Sequence, residues 1–368
     1  MIIKVGGYQG SYRVLSLAFN KDVKMDLLKN QLDFLYITDE EAVLYPENII
    51  VSEDRDVIEK LHRAGNYDVY ELTENGKLIE YYNDKSIDNY FFITAKCNSN
   101  CIMCPSPDNS RKNGGSSSIE NLIEVAKHIP ADTPHLTITG GEPFMVGEKL
   151  FKFILFLKEK FENTEFLFLT NGRIFALDSY VKQLKACIPE NSVIGIPIHG
   201  STAEIHDGIT QTVNSFYQTI SGVKKLLREN LKIEIRIVIS KLNAEDIVNI
   251  AKMIVESMQG ISHVSIIAME MTGSAYVHRE KVWIPYKQVA KALEEGVFLL
   301  LKNGIDVKLY NFPLCTVKKE FWTLCEQSIS PNKVRYADEC EKCRMKSICG
   351  GVFAGTISME RGELEAIV

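Results

Sequence analysis

No stretch of this 368-residue chain approaches the ~18–20 consecutive apolar residues of a membrane-spanning helix, so no span is expected. Its start, Met1-Ile2-Ile3-Lys4, lacks the plan of a secretory signal. Positive charge is not in excess either. A formal net charge of −6 argues against gripping nucleic acid through a broad basic surface. These absences predict a soluble, cytoplasmic protein with neither nucleic acid nor membrane as partner. What is left is ordinary globular composition, 45% apolar and 24% charged, with length for two or three domains.

Against that background nine cysteines stand out. In a reducing compartment clustered cysteines read as metal or redox ligands rather than disulfides. They form two groups, Cys97/Cys101/Cys104 and Cys315/Cys325/Cys340/Cys343/Cys349, with Cys187 alone between them and read as a buried hydrophobe. The division predicts two metal sites. The first group lies in Cys97-Asn98-Ser99-Asn100-Cys101-Ile102-Met103-Cys104, directly after the apolar run Tyr90-Phe91-Phe92-Ile93-Thr94. An iron–sulfur cube normally takes four thiolates, so a loop supplying three leaves one iron open for a ligand. Part of a zinc site, or cysteines packed as small hydrophobes, are the alternatives. A turn after a strand that opens a helix favours chemistry, because α/β enzymes place it there.

Residues 1–88 read as a small, mostly β module. Strands are expected at Tyr12–Leu17, Phe34–Ile37, Ala42–Tyr45, 68–72 and 78–81, a helix near 56–64, and a hairpin at Asn75-Gly76. It carries no catalytic constellation; it caps the next domain or docks a peptide partner. Over residues 89–303 strands alternate with helices. Strands are expected at Tyr90–Thr94, His135–Thr139, Phe166–Leu169, Val193–Ile198, Ile233–Ile239 and His263–Ala268, separated by core-facing stripes of helical period. Six such units predict a parallel sheet wound into a partial or closed barrel, with active residues at the C-terminal strand ends. Residues 304–368 leave the barrel. There Cys315, Cys340, Cys343 and Cys349 could hold zinc or a complete cube, and spacing alone does not choose. Cys325 is a spare that could replace Cys315.

The later strand ends carry further signals. Gly140-Gly141-Glu142-Pro143 follows the second strand; its glycines allow close backbone approach, Glu142 offers an acceptor, and Pro143 stiffens the exit. Thr170-Asn171-Gly172 follows the third. Ser201 follows the fourth, ahead of His206-Asp207, a pair that could be a helix N-cap. Arg236 interrupts the fifth strand, where an unpaired guanidinium would be costly and must find an anionic ligand or a strand neighbour.

The spacing Cys97-x3-Cys101-x2-Cys104, with Gly140-Gly141-Glu142-Pro143 and Thr170-Asn171, resembles the radical S-adenosylmethionine (SAM) superfamily. That resemblance implies an α/β fold: a partial (βα)6 TIM-like barrel with the small N-terminal module and a C-terminal iron–sulfur domain. It implies a [4Fe–4S] cluster on Cys97, Cys101 and Cys104 whose open iron chelates SAM and releases a 5′-deoxyadenosyl radical. Gly140, Gly141, Glu142 and Pro143 then serve the SAM amino group, Thr170 and Asn171 line the cavity, Ser201 contacts the ribose, and Arg236 meets the SAM carboxylate. Beside such a cluster, Cys315, Cys340, Cys343 and Cys349 are expected to hold a second, auxiliary [4Fe–4S] cluster of SPASM or twitch type.

The tail, from Leu309-Tyr310-Asn311 through Leu314-Cys315, Phe321-Trp322 and Cys340–Cys349 to Gly350-Gly351-Val352-Phe353, resembles the His-Xaa-Ser system maturases called HxsC. So do Asn89–Cys97 and the Pro105-Ser106-Pro107 after the cysteine loop. This implies a peptide substrate, possibly with His-Xaa-Ser repeats, a companion radical SAM maturase, and an electron donor such as flavodoxin or ferredoxin. A radical SAM enzyme acting on another protein or a small molecule is one alternative. An iron–sulfur redox protein without SAM chemistry is the other.

Overall fold

The computed structural model describes residues 2–368, apart from the side chain of Arg361. The N-terminal module is a seven-stranded sheet of β1 (Ile2–Lys4), β2 (Arg13–Ala18), β3 (Phe34–Ile37), β4 (Ala42–Tyr45), β5 (Ile49–Ser52), β6 (Val69–Leu72) and β7 (Lys77–Tyr82), in the order β1-β7-β6-β2-β3-β4-β5. Only β2 and β3 run parallel. A parallel neighbour needs a crossover, and the helix Lys21–Lys29 supplies it, capped by the Asn20 side chain. Strands β1 and β5 and this helix were not foreseen. Strands β6 and β7 form the expected hairpin, with Gly76 at φ 75°. The sheet has its own core around Leu15, Leu17, Leu35 and Tyr70, all fully buried. It is joined to the barrel by buried polar contacts: Ser16 Oγ lies 3.0 Å from His128 Nδ1, and Tyr82 Oη 2.9 Å from Thr133 Oγ1.

The second sheet has eight strands: β8 (Tyr90–Phe92), β9 (His135–Thr139), β10 (Glu165–Leu169), β11 (Ser192–Pro197), β12 (Lys232–Val238), β13 (His263–Ile267), β14 (Asp306–Tyr310) and β15 (Cys325–Glu326). They lie in chain order and every neighbouring pair is parallel. The six expected strands are present, each within a residue or two of its expected ends. The sheet then runs on past residue 303. Asp306-Val307-Lys308-Leu309-Tyr310 alternates exposed and buried positions as a half-buried strand does, and the long helix Tyr286–Lys302 brings it beside β13.

The sheet curls into a half-barrel. Ile194, Ile196, Ile233, Ile235, Ile237, Val264 and Ile266 are buried to 1% exposure or less in the core under the helices. Their alternates, among them Gly195, Glu234 and Arg236, share the concave side. A Cβ on Gly195 would sit 3.0 Å from both Arg236 Cδ and Glu234 Oε2, so glycine there lets the two charged side chains lie across the sheet. Beyond β15 the chain forms short 3-10 turns, one antiparallel pair, β16 (Val334–Arg335) with β17 (Val352–Phe353), and the one-turn helix Ile357–Glu360. All nine cysteines are free thiols. Among the described residues no helix is long and apolar enough to cross a membrane.

Candidate active site

The C-terminal ends of the parallel strands open into a cavity of about 420 Å³. Cys97, Cys101 and Cys104 all line it. Their loop is held from several sides. Asn100 N and Ile102 N donate to the carbonyls of Thr210 and Ile209 at 3.0 and 2.9 Å, at the end of the helix Ala203–Thr210. Asn171 Nδ2 reaches Asn98 Oδ1 at 2.6 Å, and Arg173 Nη1 reaches the Asn98 carbonyl at 2.5 Å. The Cys104 carbonyl accepts from Ala275 N at 3.2 Å.

Burial pushes the Cys101 thiol up to about 12 and also raises Cys97. The loop nevertheless turns backbone donors toward sulfur. Ser99 N points at Cys97 Sγ and Ser106 N at Cys104 Sγ, each at 3.4 Å, an arrangement that suits thiolate ligands. Among the described residues no three His, Cys, Asp or Glu side chains converge closely enough for a single metal ion. Three thiols around a shared cavity with donors behind them suit a group held by thiolates.

Gly140 and Gly141 also line the cavity, yet their lack of side chains serves the protein itself. A Cβ on Gly140, where φ is 157°, would come within 2.5 Å of the Thr94 carbonyl oxygen. One on Gly141 would come within 2.3 Å of that of Lys96. The bare backbone instead bonds these carbonyls, Gly141 N to Thr94 O at 2.7 Å and Glu142 N to Lys96 O at 2.8 Å. Glu142 and Pro143 stand behind the cavity wall. The Glu142 carboxylate is 1% exposed; it accepts from Thr170 Oγ1 at 2.8 Å, Asn171 N at 2.7 Å and Phe144 N at 3.1 Å. Burial raises its pKa, and these donors oppose the rise. Glu142 thus ties the end of β9 to Thr170 and Asn171, which do face the cavity.

Arg236 lines the cavity, and Nη1 is paired with Glu234 Oε1 at 2.7 Å, the strand-neighbour alternative open in the sequence. Ser201 does not reach the cavity lining. Its amide and hydroxyl both bond the Asp246 carboxylate, each at 2.7 Å. Nor do His206 and Asp207 form an N-cap. Thr202 caps their helix, whereas Asp207 accepts from Asn214 N and Phe216 N at the start of the next.

Two buried basic side chains of the lining, His199 and Arg111, were given no role from the sequence. His199 is 3% exposed; its Nδ1 is buried without a partner, and burial pulls its pKa down to about 3, so the ring is neutral. Arg111 is 4% exposed and bonds the cysteine loop. The only sequence signal for either was the residue type itself: Arg111 sits in a polar run that reads as a solvated helix.

Cys315, Cys340, Cys343 and Cys349 line one small cavity with Leu314, Val352, Leu364 and Ile367. Leu314 N points at Cys349 Sγ at 3.5 Å and Ile367 N at Cys343 Sγ at 3.4 Å. Burial raises the Cys315 thiol, opposed by the Glu365 backbone N–H. Cys325 lies on β15 outside this lining, its thiol 3.7 Å from the Phe321 carbonyl. Cys187 is buried, its thiol 3.6 Å from the Leu184 carbonyl.

Comparison with known proteins agrees with this geometry. Residues 91–254 match the family model of the radical SAM superfamily. An AdoMet-dependent heme synthase of Methanosarcina barkeri is 26% identical over 160 residues, 42% of this chain and 43% of that protein. The antilisterial bacteriocin subtilosin biosynthesis protein AlbA of Bacillus subtilis is 24% identical over 208 residues, covering 52% and 45%. The matches thus span less than half the length of these relatives. Among solved structures, Streptococcus suis SuiB bound to precursor peptide SuiA superposes with a TM-score of 0.50 at 13% identity, over 62% of this chain and 49% of that one. That likeness is one of fold.

Proposed function

We propose, from the radical SAM domain at residues 91–254, that this chain cleaves SAM reductively and modifies a ribosomally made peptide. The observation that carries the proposal is the single cavity at the strand ends, where Cys97, Cys101 and Cys104 meet Gly140, Gly141, Thr170, Asn171 and Arg236. With a [4Fe–4S] cube on the three cysteines and SAM beside it, these groups supply a 5′-deoxyadenosyl radical that takes hydrogen from the substrate. The residues around them position and shield. Gly140 and Gly141 fix the cysteine loop against β9, and Glu142 holds Thr170 and Asn171 in the wall. Arg236, which lines the cavity, would hold the SAM carboxylate, a planar anion its fork fits, in exchange for Glu234. Ser201 reaches the ribose only by leaving Asp246.

A peptide substrate is supported by two likenesses: AlbA, a bacteriocin biosynthesis protein, and SuiB, bound to a precursor peptide. The finer reading is an HxsC-like maturase acting in the cytoplasm on a peptide with His-Xaa-Ser repeats, beside a companion radical enzyme. Flavodoxin or ferredoxin is its electron donor. Cys315, Cys340, Cys343 and Cys349 hold a second [4Fe–4S] cluster, a reading supported by four thiols around one small apolar cavity.

Anaerobic reconstitution with SAM and dithionite tests this, with iron per chain and 5′-deoxyadenosine as readouts and Cys101→Ala as control. About eight irons, with deoxyadenosine formed only by the wild type, support the two-cluster enzyme, since each cube holds four. About four irons with deoxyadenosine make the C-terminal site zinc or empty. A filled first site that makes no deoxyadenosine, even with candidate peptides present, favours a redox protein.

A further inference from the structure

Arg111 is a buried charge that the fold neutralises only in part. It lies in the short helix Asp108–Asn113 at 4% exposure. Nη1 donates to the Ser106 carbonyl and to Ser274 Oγ, and Nη2 donates to Asn100 Oδ1 at 2.8 Å and Ser274 Oγ at 3.1 Å. Nε is buried without a partner. The one carboxylate in reach, Asp108, is half-exposed and divides its oxygens, Oδ1 at 3.5 Å from Arg111 Nη2 and Oδ2 at 2.8 Å from Lys112 Nζ. Neutral oxygens thus make the short contacts to the guanidinium, and one long ion pair to a carboxylate shared with Lys112 offsets only part of the several kcal/mol that burying a cation costs.

The cysteine loop is next door. Arg111 lines the same cavity as Cys97, Cys101 and Cys104, and its own carbonyl accepts the Cys97 N–H at 3.1 Å. Lys96 is exposed, and Arg173, half-buried, bonds the Asn98 carbonyl and Ser99 Oγ on the other side of the loop. A cube on three thiolates carries net negative charge, and reduction makes it more negative.

Resting on the reading of this loop as a cluster site, we propose that Arg111 is a positioning residue that supplies the buried counter-charge for a cube on Cys97, Cys101 and Cys104. It thereby sets how readily that cube accepts an electron. The Asn100, Ser106 and Ser274 contacts fix the charge beside the loop; the charge itself favours the reduced form.

The test is a redox titration of the reconstituted full chain, following the paramagnetic resonance signal that Cys101→Ala lacks, in wild type, Arg111→Gln and Arg111→Lys. Arg111→Gln is expected to lower the reduced-to-oxidised ratio at fixed potential about tenfold, equivalent to 59 mV for one electron. Arg111→Lys should fall between it and wild type. An Arg111→Gln protein with a full first site that titrates like wild type overturns the proposal. If Arg111→Gln takes up no iron there, Arg111→Lys decides. Uptake by the lysine variant, with a ratio within about threefold of wild type, supports a role for charge. A folded lysine variant that is also empty shows that the hydrogen-bonding fork alone matters and overturns it. Wild type without iron on the three cysteines refutes the cluster reading beneath, a different failure.

Discussion

Val352 and Phe353 are neighbours on β17 and face the two cysteine sites separately. Val352 is 1% exposed and packs with Ala337, Leu364, Cys315 and Cys340 in the C-terminal cage, whereas Phe353 lines the cavity that holds Cys97, Cys101 and Cys104. Successive side chains of a strand point to opposite faces, so two residues make a wall with a site on each side.

Substitutions on the two faces should therefore separate. Val352→Asn buries an amide in the C-terminal cage at a cost of about 2–3 kcal/mol. It should lower iron in the second site while the first stays filled. Phe353→Ala should leave both iron contents near wild type and weaken SAM-dependent deoxyadenosine formation by opening the cavity wall. Iron analysis with resonance spectra of each variant checks the split. Equal loss at both sites in either variant would contradict it.

Gly141→Ala tests whether this glycine serves the cysteine loop. The new Cβ would meet backbone oxygens of Lys96 and Ala95 at 2.3 and 2.5 Å, and neither can swing away as a flexible side chain could. Displacing the base of the loop should cost about 2–3 kcal/mol. First-site iron should fall at least severalfold, while the second site stays filled. A glycine needed only for ligand approach would instead leave iron uptake intact and weaken SAM binding.

These examples show what the sequence made legible. Cys97, Gly140 and Thr170 could be read because each follows an apolar strand, and strand periodicity survives in a single sequence. Arg111 could not, because its helix is polar throughout and its burial is created by Ser274 and Asn100, one of them 163 residues away. Glu142 was legible as a functional carboxylate, but its partners Thr170 and Asn171 lie a whole crossover distant and redirect it behind the wall. Strand β14 was hidden by the cysteine-rich tail that follows it, although Asp306–Tyr310 alternates as plainly as β9.

Residues 364–367, which carried no sequence signal, close over the second site. Leu364 is 4% exposed among Ala337 and Val352, Ile367 N points at Cys343 Sγ, and the Ile367 carbonyl receives Arg344 N at 2.9 Å. Glu365 anchors this strap to the barrel through Lys287 Nζ at 2.6 Å. Deleting residues 364–368 should strip second-site iron to a chelator about tenfold faster, with the first site unaffected. Timed iron release from anaerobic protein measures it. Unchanged release would show that the four cysteines close the site alone.

Glu360 gives the junction between tail and barrel a pH dependence. Its side chain is fully buried; Oε1 accepts from Tyr286 N at 3.4 Å and Oε2 has no partner. Burial raises its pKa from 4.5 to about 8, with Glu363 adding to the rise and the Tyr286 N–H and Lys287 opposing it. The folded state then holds a proton that the unfolded chain releases at lower pH. Stability is full below about 4.5 and falls as pH rises toward about 8, by at most about 5 kcal/mol and by less if the tail relaxes locally. Glu360→Gln keeps the shape and cannot ionise, so its melting temperature should exceed wild type at pH 8 and match it near pH 5. Thermal melts at both values check this; parallel curves for the two proteins would show that Glu360 finds a compensating partner as it ionises.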